Sequence, residues 1–143
     1  MSTSDVAASL ANTELFHDLS EDHLERLERV AHRRHFEPGE VIVREGQGGI
    51  AFFVVTTGRV SISRADAEGQ QRELRTAGPG DVFGEMALFS DRPRSATITA
   101  VETTECLALH RFEFLDELRR SPEVALRLLD SLAVRLDHAS ALS

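Results

Sequence analysis

Apolar positions divide the chain into stretches of different period. Leu24, Leu27, Val30 and Ala31 fall on one helical face, with Ser20 as an N-cap and Glu21 and Asp22 at the positive end of the helix dipole. This helix is expected to end near His32 or Arg33, and a shorter one is expected over Ser4 to Leu10, with Leu15, Phe16 and Leu19 as its docking residues. From His35 to His110 the pattern changes to short apolar blocks separated by turn residues: Pro38-Gly39, Gly46 through Gly49, Gly58, Gly69 and Gly78-Pro79-Gly80. The blocks predict strands near 33–36, 41–44, 51–57, 59–64, 72–77, 82–83, 95–101 and 104–110. Eight short strands at this spacing indicate a sandwich or jelly roll. Gly58 predicts a tight hairpin between its flanking apolar blocks, and Gly69 a second, more polar one.

After His110 the helical period returns. A helix over Arg111 to Arg120 places either Phe112, Leu115 and Leu118, or Phe114 and Leu118, on one face. Ser121 then caps a last helix, with Pro122 at the first position, where the missing N–H costs nothing. In that helix Ala125, Leu129, Leu132, Leu136 and Ala139 step by four, three, four and three, the spacing of a coiled-coil seam. Leu126, Leu128 and Ala133 lie on a second face. A homodimer through Leu129, Leu132 and Leu136 and plain amphipathic docking both fit this pattern, and the sequence leaves both open.

Composition narrows the class. At 143 residues, 41% hydrophobic and 28% charged, the chain is expected to be one globular domain. The longest apolar run, Ile50 to Val55, is far too short to span a membrane. The N-terminus lacks the basic start and apolar core of a secretion signal, so a cytoplasmic location is expected. Net charge is −8 and all 16 cations are arginine, which argues against a nucleic-acid surface. An anionic small ligand must therefore be captured by local geometry. The single Cys106, in an alternating segment, reads as a buried structural thiol.

One stretch, Asp81 to Val101, concentrates the chemistry. Phe83 ends a short strand, Gly84 admits close approach to its backbone, and the turn through Glu85, Met86 and Ala87 offers unpaired N–H groups of the kind phosphates favour. Arg94 adds a forked pair of charge-assisted donors and Ser95 a hydroxyl. A phosphate repels Glu85, so its carboxylate suits ribose hydroxyls or a backbone amide. Phosphate beside sugar implies a nucleotide.

Phe83, Gly84, Glu85, Met86, Ala87 and Leu88, followed after a loop by Arg94, Ser95, Ala96 and Thr97, resemble the phosphate-binding cassette of the cyclic nucleotide-binding domain family. The resemblance implies an α+β fold: an eight-stranded antiparallel β-roll (jelly roll) over 35–110, carrying the cassette at 82–97, with N-terminal helices over 1–34 and two C-terminal helices over 111–143. It gives Glu85 the ribose 2′-hydroxyl, the backbone of Gly84 to Ala87 and the side chain of Arg94 the cyclic phosphate, and Ser95 a phosphate or base contact. Ser95 favours cAMP and leaves cGMP open. In dimeric activators of the family a segment of the last helix reaches the base of the neighbouring subunit. Arg135, Leu136 and Ser140 match it, while Ala139 stands where those proteins carry Thr.

No nucleophile-base pair or metal-ligand set accompanies Glu85 and Arg94, so a binding module is expected, without catalysis and without a metal. With three residues after Ser140, a DNA-binding or catalytic domain is not expected. The implied partners are a cyclic nucleotide and a separate, unidentified protein effector, with neither nucleic acid nor membrane. The alternative is an assembly protein derived from the family that has lost nucleotide binding and acts through its C-terminal seam.

Overall fold

Antiparallel pairing sorts the eight strands into two sheets of four. The computed structural model describes residues 10–11, 16–17, 19–84, 87 and 92–142, and of residues 135 and 138–142 the backbone alone. The chain divides into two compact units, residues 31–111 and residues 1–30 with 112–143.

In the first unit the strands are β1 (His32–Phe36), β2 (Val41–Val43), β3 (Ala51–Thr57), β4 (Val60–Ala65), β5 (Gln71–Ala77), β6 (Val82–Phe83), β7 (Thr97–Ala100) and β8 (Thr104–His110). One sheet runs β1-β8-β3-β6 and the other β2-β7-β4-β5. Alternation places Phe53, Val55, Phe83, Cys106 and Ala108 of the first sheet in one core cluster with Val60, Ile62, Ile98 and Ala100 of the second. Phe53 and Phe83 stack with ring centroids 5.1 Å apart. Cys106 is buried as expected, and burial pushes its thiol up to about 12, so it stays protonated and inert at neutral pH.

Gly69 closes the expected hairpin between β4 and β5, where the Asp66 carboxylate accepts the amides of Glu68 and Gln70. Gly58 does not close one. Strand β3 pairs with β6 and β8, and β4 with β5 and β7, so the chain changes sheet at this glycine. Its φ is +96°, and a Cβ there would stand 2.5 Å from the Thr103 carbonyl oxygen. The adjacent Arg59 amide donates to the fully buried Thr104 hydroxyl at 3.2 Å, which fixes the crossing.

The second unit contains α1 (Glu21–Val30), α2 (Arg111–Arg120, all but its first residue) and α3 (Pro122–Leu142). Ser20 caps α1 by accepting the His23 amide. The helix stops at Val30, short of the expected end, because His32 and Arg33 are taken into β1 by pairing with Ala108 and Leu107 of β8. The boundary expected at residue 34 therefore moves to 31. Of the expected N-terminal docking residues, Phe16 and Leu19 are buried, and Phe16 meets Phe114 edge to face at 6.2 Å. Leu15 and the helix expected over Ser4 to Leu10, except Leu10 itself, lie outside the described residues. On α2 Phe114 is buried and Phe112 exposed, which selects the second of the two faces read from the sequence.

On α3 the inward stripe is Val124, Leu128 and Ser131. The outward stripe is Leu126, Leu129, Ala133 and Leu136, while Ala125 and Leu132 are half-buried along its flank. The exposed seam is thus rotated from the expected one, with Leu126 and Ala133 on it. Both stripes step by three and four, so the period alone did not choose between them.

On the exposed face of β1 the His35 ring binds Glu105 through Nδ1 at 2.7 Å and Glu37 through Nε2 at 2.6 Å. These two carboxylates, Glu105 first, raise its pKa from 6.5 to about 9. Because the folded value lies above the unfolded one, the stabilisation is fully present below about pH 6.5 and is lost as pH rises through about 9. NMR titration of the His35 ring is expected to give a midpoint near 9, falling towards the ordinary value in Glu105→Gln. An ordinary midpoint in the native protein would refute the pairing.

Candidate functional site

The cassette starts where β6 ends. Gly84 has φ +81°, a left-handed turn that residues with a Cβ rarely adopt, and its carbonyl accepts the Ala87 amide at 2.9 Å to close one tight turn. On the return side, the Arg94 backbone is clamped to the loop after β2. Its N–H donates to Gln47 at 2.9 Å and its carbonyl accepts from Gly46 at 2.8 Å. This double bond of the loop to the strand entrance fixes where the Arg94 side chain begins.

The guanidinium then runs between two glycines. A Cβ on Gly49 would lie 2.6 Å from Arg94 Nε, and one on Gly84 would lie 2.5 Å from Nη1. Nη2 donates to the carbonyl of Ala51 at 2.8 Å. Nη1 is buried and has no hydrogen-bond partner among the described residues. Burial lowers the Arg94 pKa, because desolvation disfavours its charged form. A buried unpaired donor costs about 1–3 kcal/mol, and more when it is charged. An anion bound beside Gly84 would remove that cost.

Arg94 faces a cavity of about 280 Å³ lined by Val43, Ile62, Ile98, Val82, Phe83, Gly84, Ala96, Ser95, Leu74 and the arginines Arg64, Arg75 and Arg94. Three cations line it and, among the described residues, no carboxylate does, although the whole chain carries −8. Apolar walls with a few convergent polar groups are the usual make-up of a small-molecule site. Arg64 also braces the cassette, donating from Nε to the Ser95 carbonyl at 2.9 Å.

Of the residues read from the sequence, Phe83, Gly84, Arg94, Ser95 and Ala96 come together on this cavity. Ala87 and Thr97 do not line it. Ala87 is buried and closes the Gly84 turn, and the Thr97 hydroxyl accepts the Glu45 amide at 3.0 Å. Glu85 and Met86 lie outside the described residues, as do the side chains of Arg135 and Ser140. The sequence reading missed Gly49 and the walls supplied by β4 and β5. The Gly48-Gly49 pair was a signal for Gly49. Arg64, Leu74 and Arg75 carried none, since they look like an exposed polar hairpin until its partner sheet is known.

The chain belongs to the cyclic nucleotide-binding domain family, whose sequence profile matches residues 33–121. It is 41% identical over 125 residues to the cyclic AMP receptor protein of Thermus thermophilus, covering 87% of this chain and 58% of that one. It is 37% identical over 100 residues to the cAMP-dependent protein kinase regulatory subunit of Dictyostelium discoideum, covering 64% of this chain and 31% of that one. The crystal structure of the N-terminal domain of a transcriptional regulator from Streptomyces coelicolor superposes with a TM-score of 0.90 at 31% identity, covering 94% of each chain. The β-roll and the family read from the sequence are therefore found. The chain spans 58% and 31% of the length of these two curated relatives. Among the described residues no helix is long and apolar enough to cross a membrane.

Gly49→Ala is expected to push the guanidinium off Ala51 and lower cyclic nucleotide affinity about tenfold, the equivalent of about 1.4 kcal/mol. Its denaturation midpoint should stay close to that of the native protein, because only the tip of a flexible side chain must move. Calorimetry beside a urea titration checks both, and unchanged affinity would contradict the packing of Arg94 against Gly49.

Proposed function

We propose that this chain is a cyclic nucleotide sensor that binds one nucleotide in the cavity beside Gly84. The carrying observation is the buried Arg94 Nη1, without a partner among the described residues, set in a cavity with three arginines. A cyclic phosphate places an anionic oxygen there and supplies the forked, charge-assisted contact that arginine is shaped to make. By similarity to the family, Glu85 takes the ribose hydroxyl, the backbone from Gly84 to Ala87 lies along the phosphate, and Ser95 contacts phosphate or base. By similarity to the family's dimeric activators, Arg135 and Ser140 of a neighbouring copy contact the base. The ligand is cAMP in preference to cGMP, on the strength of Ser95, and the resemblance to a cyclic AMP receptor protein supports that choice.

The role is regulatory and not catalytic. Described residues on the cavity provide cations and apolar walls, a set suited to holding a phosphate diester and poor in groups that would cleave it. Ligand state is passed through the C-terminal helices to a separate protein effector in the cytoplasm. Transmission requires that the nucleotide make contacts in one arrangement that it lacks in the other.

Calorimetric titration of cAMP and of cGMP into refolded, nucleotide-free protein tests the reading. One nucleotide per chain is expected, with cAMP the tighter. Arg94→Ala is expected to lose about 2–5 kcal/mol of binding, the cost of breaking a buried charge pair. Binding of neither nucleotide by the native chain would refute the sensor role.

A second reading, assembly through α3, has its own observation in the apolar stripe Leu126, Leu129 and Leu136, each more than 60% exposed. Such a stripe at coiled-coil spacing suits a second copy of the same helix. Light scattering is expected to give a dimer mass that Leu129→Asp halves. A monomer in the native protein would remove this interface.

A further inference from the structure

We infer that Arg111, the first residue of α2, is a positioning residue for the phosphate turn. This inference rests on the cyclic nucleotide reading of the cavity and adds to it a residue remote from the cassette in sequence. The Arg111 Nε donates to the carbonyl of Ala87 at 2.7 Å. Ala87 is the residue whose amide closes the turn on Gly84, so the bond grips that turn from its far end. At the same time the Arg111 backbone N–H donates to the Ile50 carbonyl at 2.8 Å. The next carbonyl along, that of Ala51, receives Arg94 Nη2.

These contacts close a ring. Gly84 packs on Arg94, Arg94 bonds Ala51, the Ile50–Ala51 segment bonds Arg111 and pairs with His110, Arg111 bonds Ala87, and Ala87 bonds Gly84. The two elements that hold a phosphate, the glycine turn and the arginine fork, are thereby set from the same short segment, Ile50 and the first residue of β3. Arg111 is the member that carries the turn. A donor held in place by packing and hydrogen bonds needs little reorganisation when the ligand arrives, so losing Arg111 lowers affinity although it does not line the cavity. Because Arg111 also opens α2, the bond ties the turn to the residue from which the C-terminal helices depart.

The test exploits the chemistry of the bond to Ala87. Glutamine carries its side-chain N–H the same number of bonds from Cα as arginine carries Nε. Methionine matches the stem but has no donor, and lysine keeps the charge while carrying its nitrogen one bond further out. Calorimetry with cAMP is expected to show Arg111→Met and Arg111→Lys weakened about tenfold, as loss of a charge-assisted hydrogen bond implies, and Arg111→Gln restored to within about threefold of the native value. In nucleotide-free protein the Ala87 amide should exchange faster in Arg111→Met than in Arg111→Gln. A role in bulk or charge alone would leave glutamine no better than methionine or lysine.

Should Arg111→Met fail to fold, the lysine and glutamine variants give the same comparison. Native binding with equal affinity in all variants, or equal loss in all, would overturn the assignment of Arg111 alone. Absence of binding in the native protein would overturn the nucleotide reading and this inference with it.

Discussion

A half-buried guanidinium, fixed on several sides with one buried nitrogen unpaired among the described residues, is the constraint around which this unit is arranged. Arg94 is held at its backbone by Gly46 and Gln47, at Nη2 by Ala51, and on its faces by Gly49 and Gly84. Each contact restricts the side chain, and together they leave Nη1 without a partner among the described residues. In water such a donor is satisfied at once, whereas a buried one keeps its demand. In a chain of net charge −8 the long-range field repels anions. Under the proposed function, selectivity for a phosphate must then come from this local arrangement.

The sheet topology explains how so small an arrangement is made rigid. Strand β3 is central to it, since it pairs with β6 on one side and β8 on the other and presents the Ile50 and Ala51 carbonyls at its start. The cassette follows β6, and α2 follows β8, so both neighbours of β3 lead directly into the site or away from it. The other sheet contributes the walls. Ile62 and Arg64 of β4, Leu74 and Arg75 of β5 and Ile98 of β7 complete the cavity opposite the turn. The crossing at Gly58 is what makes these two sheets face each other instead of forming one continuous hairpin ribbon.

Local chemistry was legible in the sequence, and long-range pairing was not. Strand positions followed from apolar blocks and glycine punctuation, and the dense cassette pattern identified the family. The hairpin expected at Gly58 failed because turn residues announce a change of direction without saying which strand becomes the neighbour. His32 joined β1, one residue ahead of the strand expected near 33–36, for a related reason, as its pairing with β8 outweighs a helical period carried by few residues. The exposed stripe of α3 was misplaced because Val124, Leu128 and Ser131 form an equally regular stripe, and only burial separates the two. Gly49, Arg75 and Arg111 went unread since each acts through a neighbour distant in sequence.

The claim that Arg94 awaits a phosphate oxygen is tested most directly by NMR of its guanidinium nitrogens, with ¹⁵N label in arginine and Arg94→Lys used for assignment. Addition of cAMP should move the Arg94 Nε and Nη resonances in saturable fashion and slow the exchange of the Nη1 protons, whereas adenosine, which has no phosphate, should leave them in place. If cAMP binds and the Arg94 resonances do not respond, the phosphate sits elsewhere and Arg94 Nη1 is not its partner.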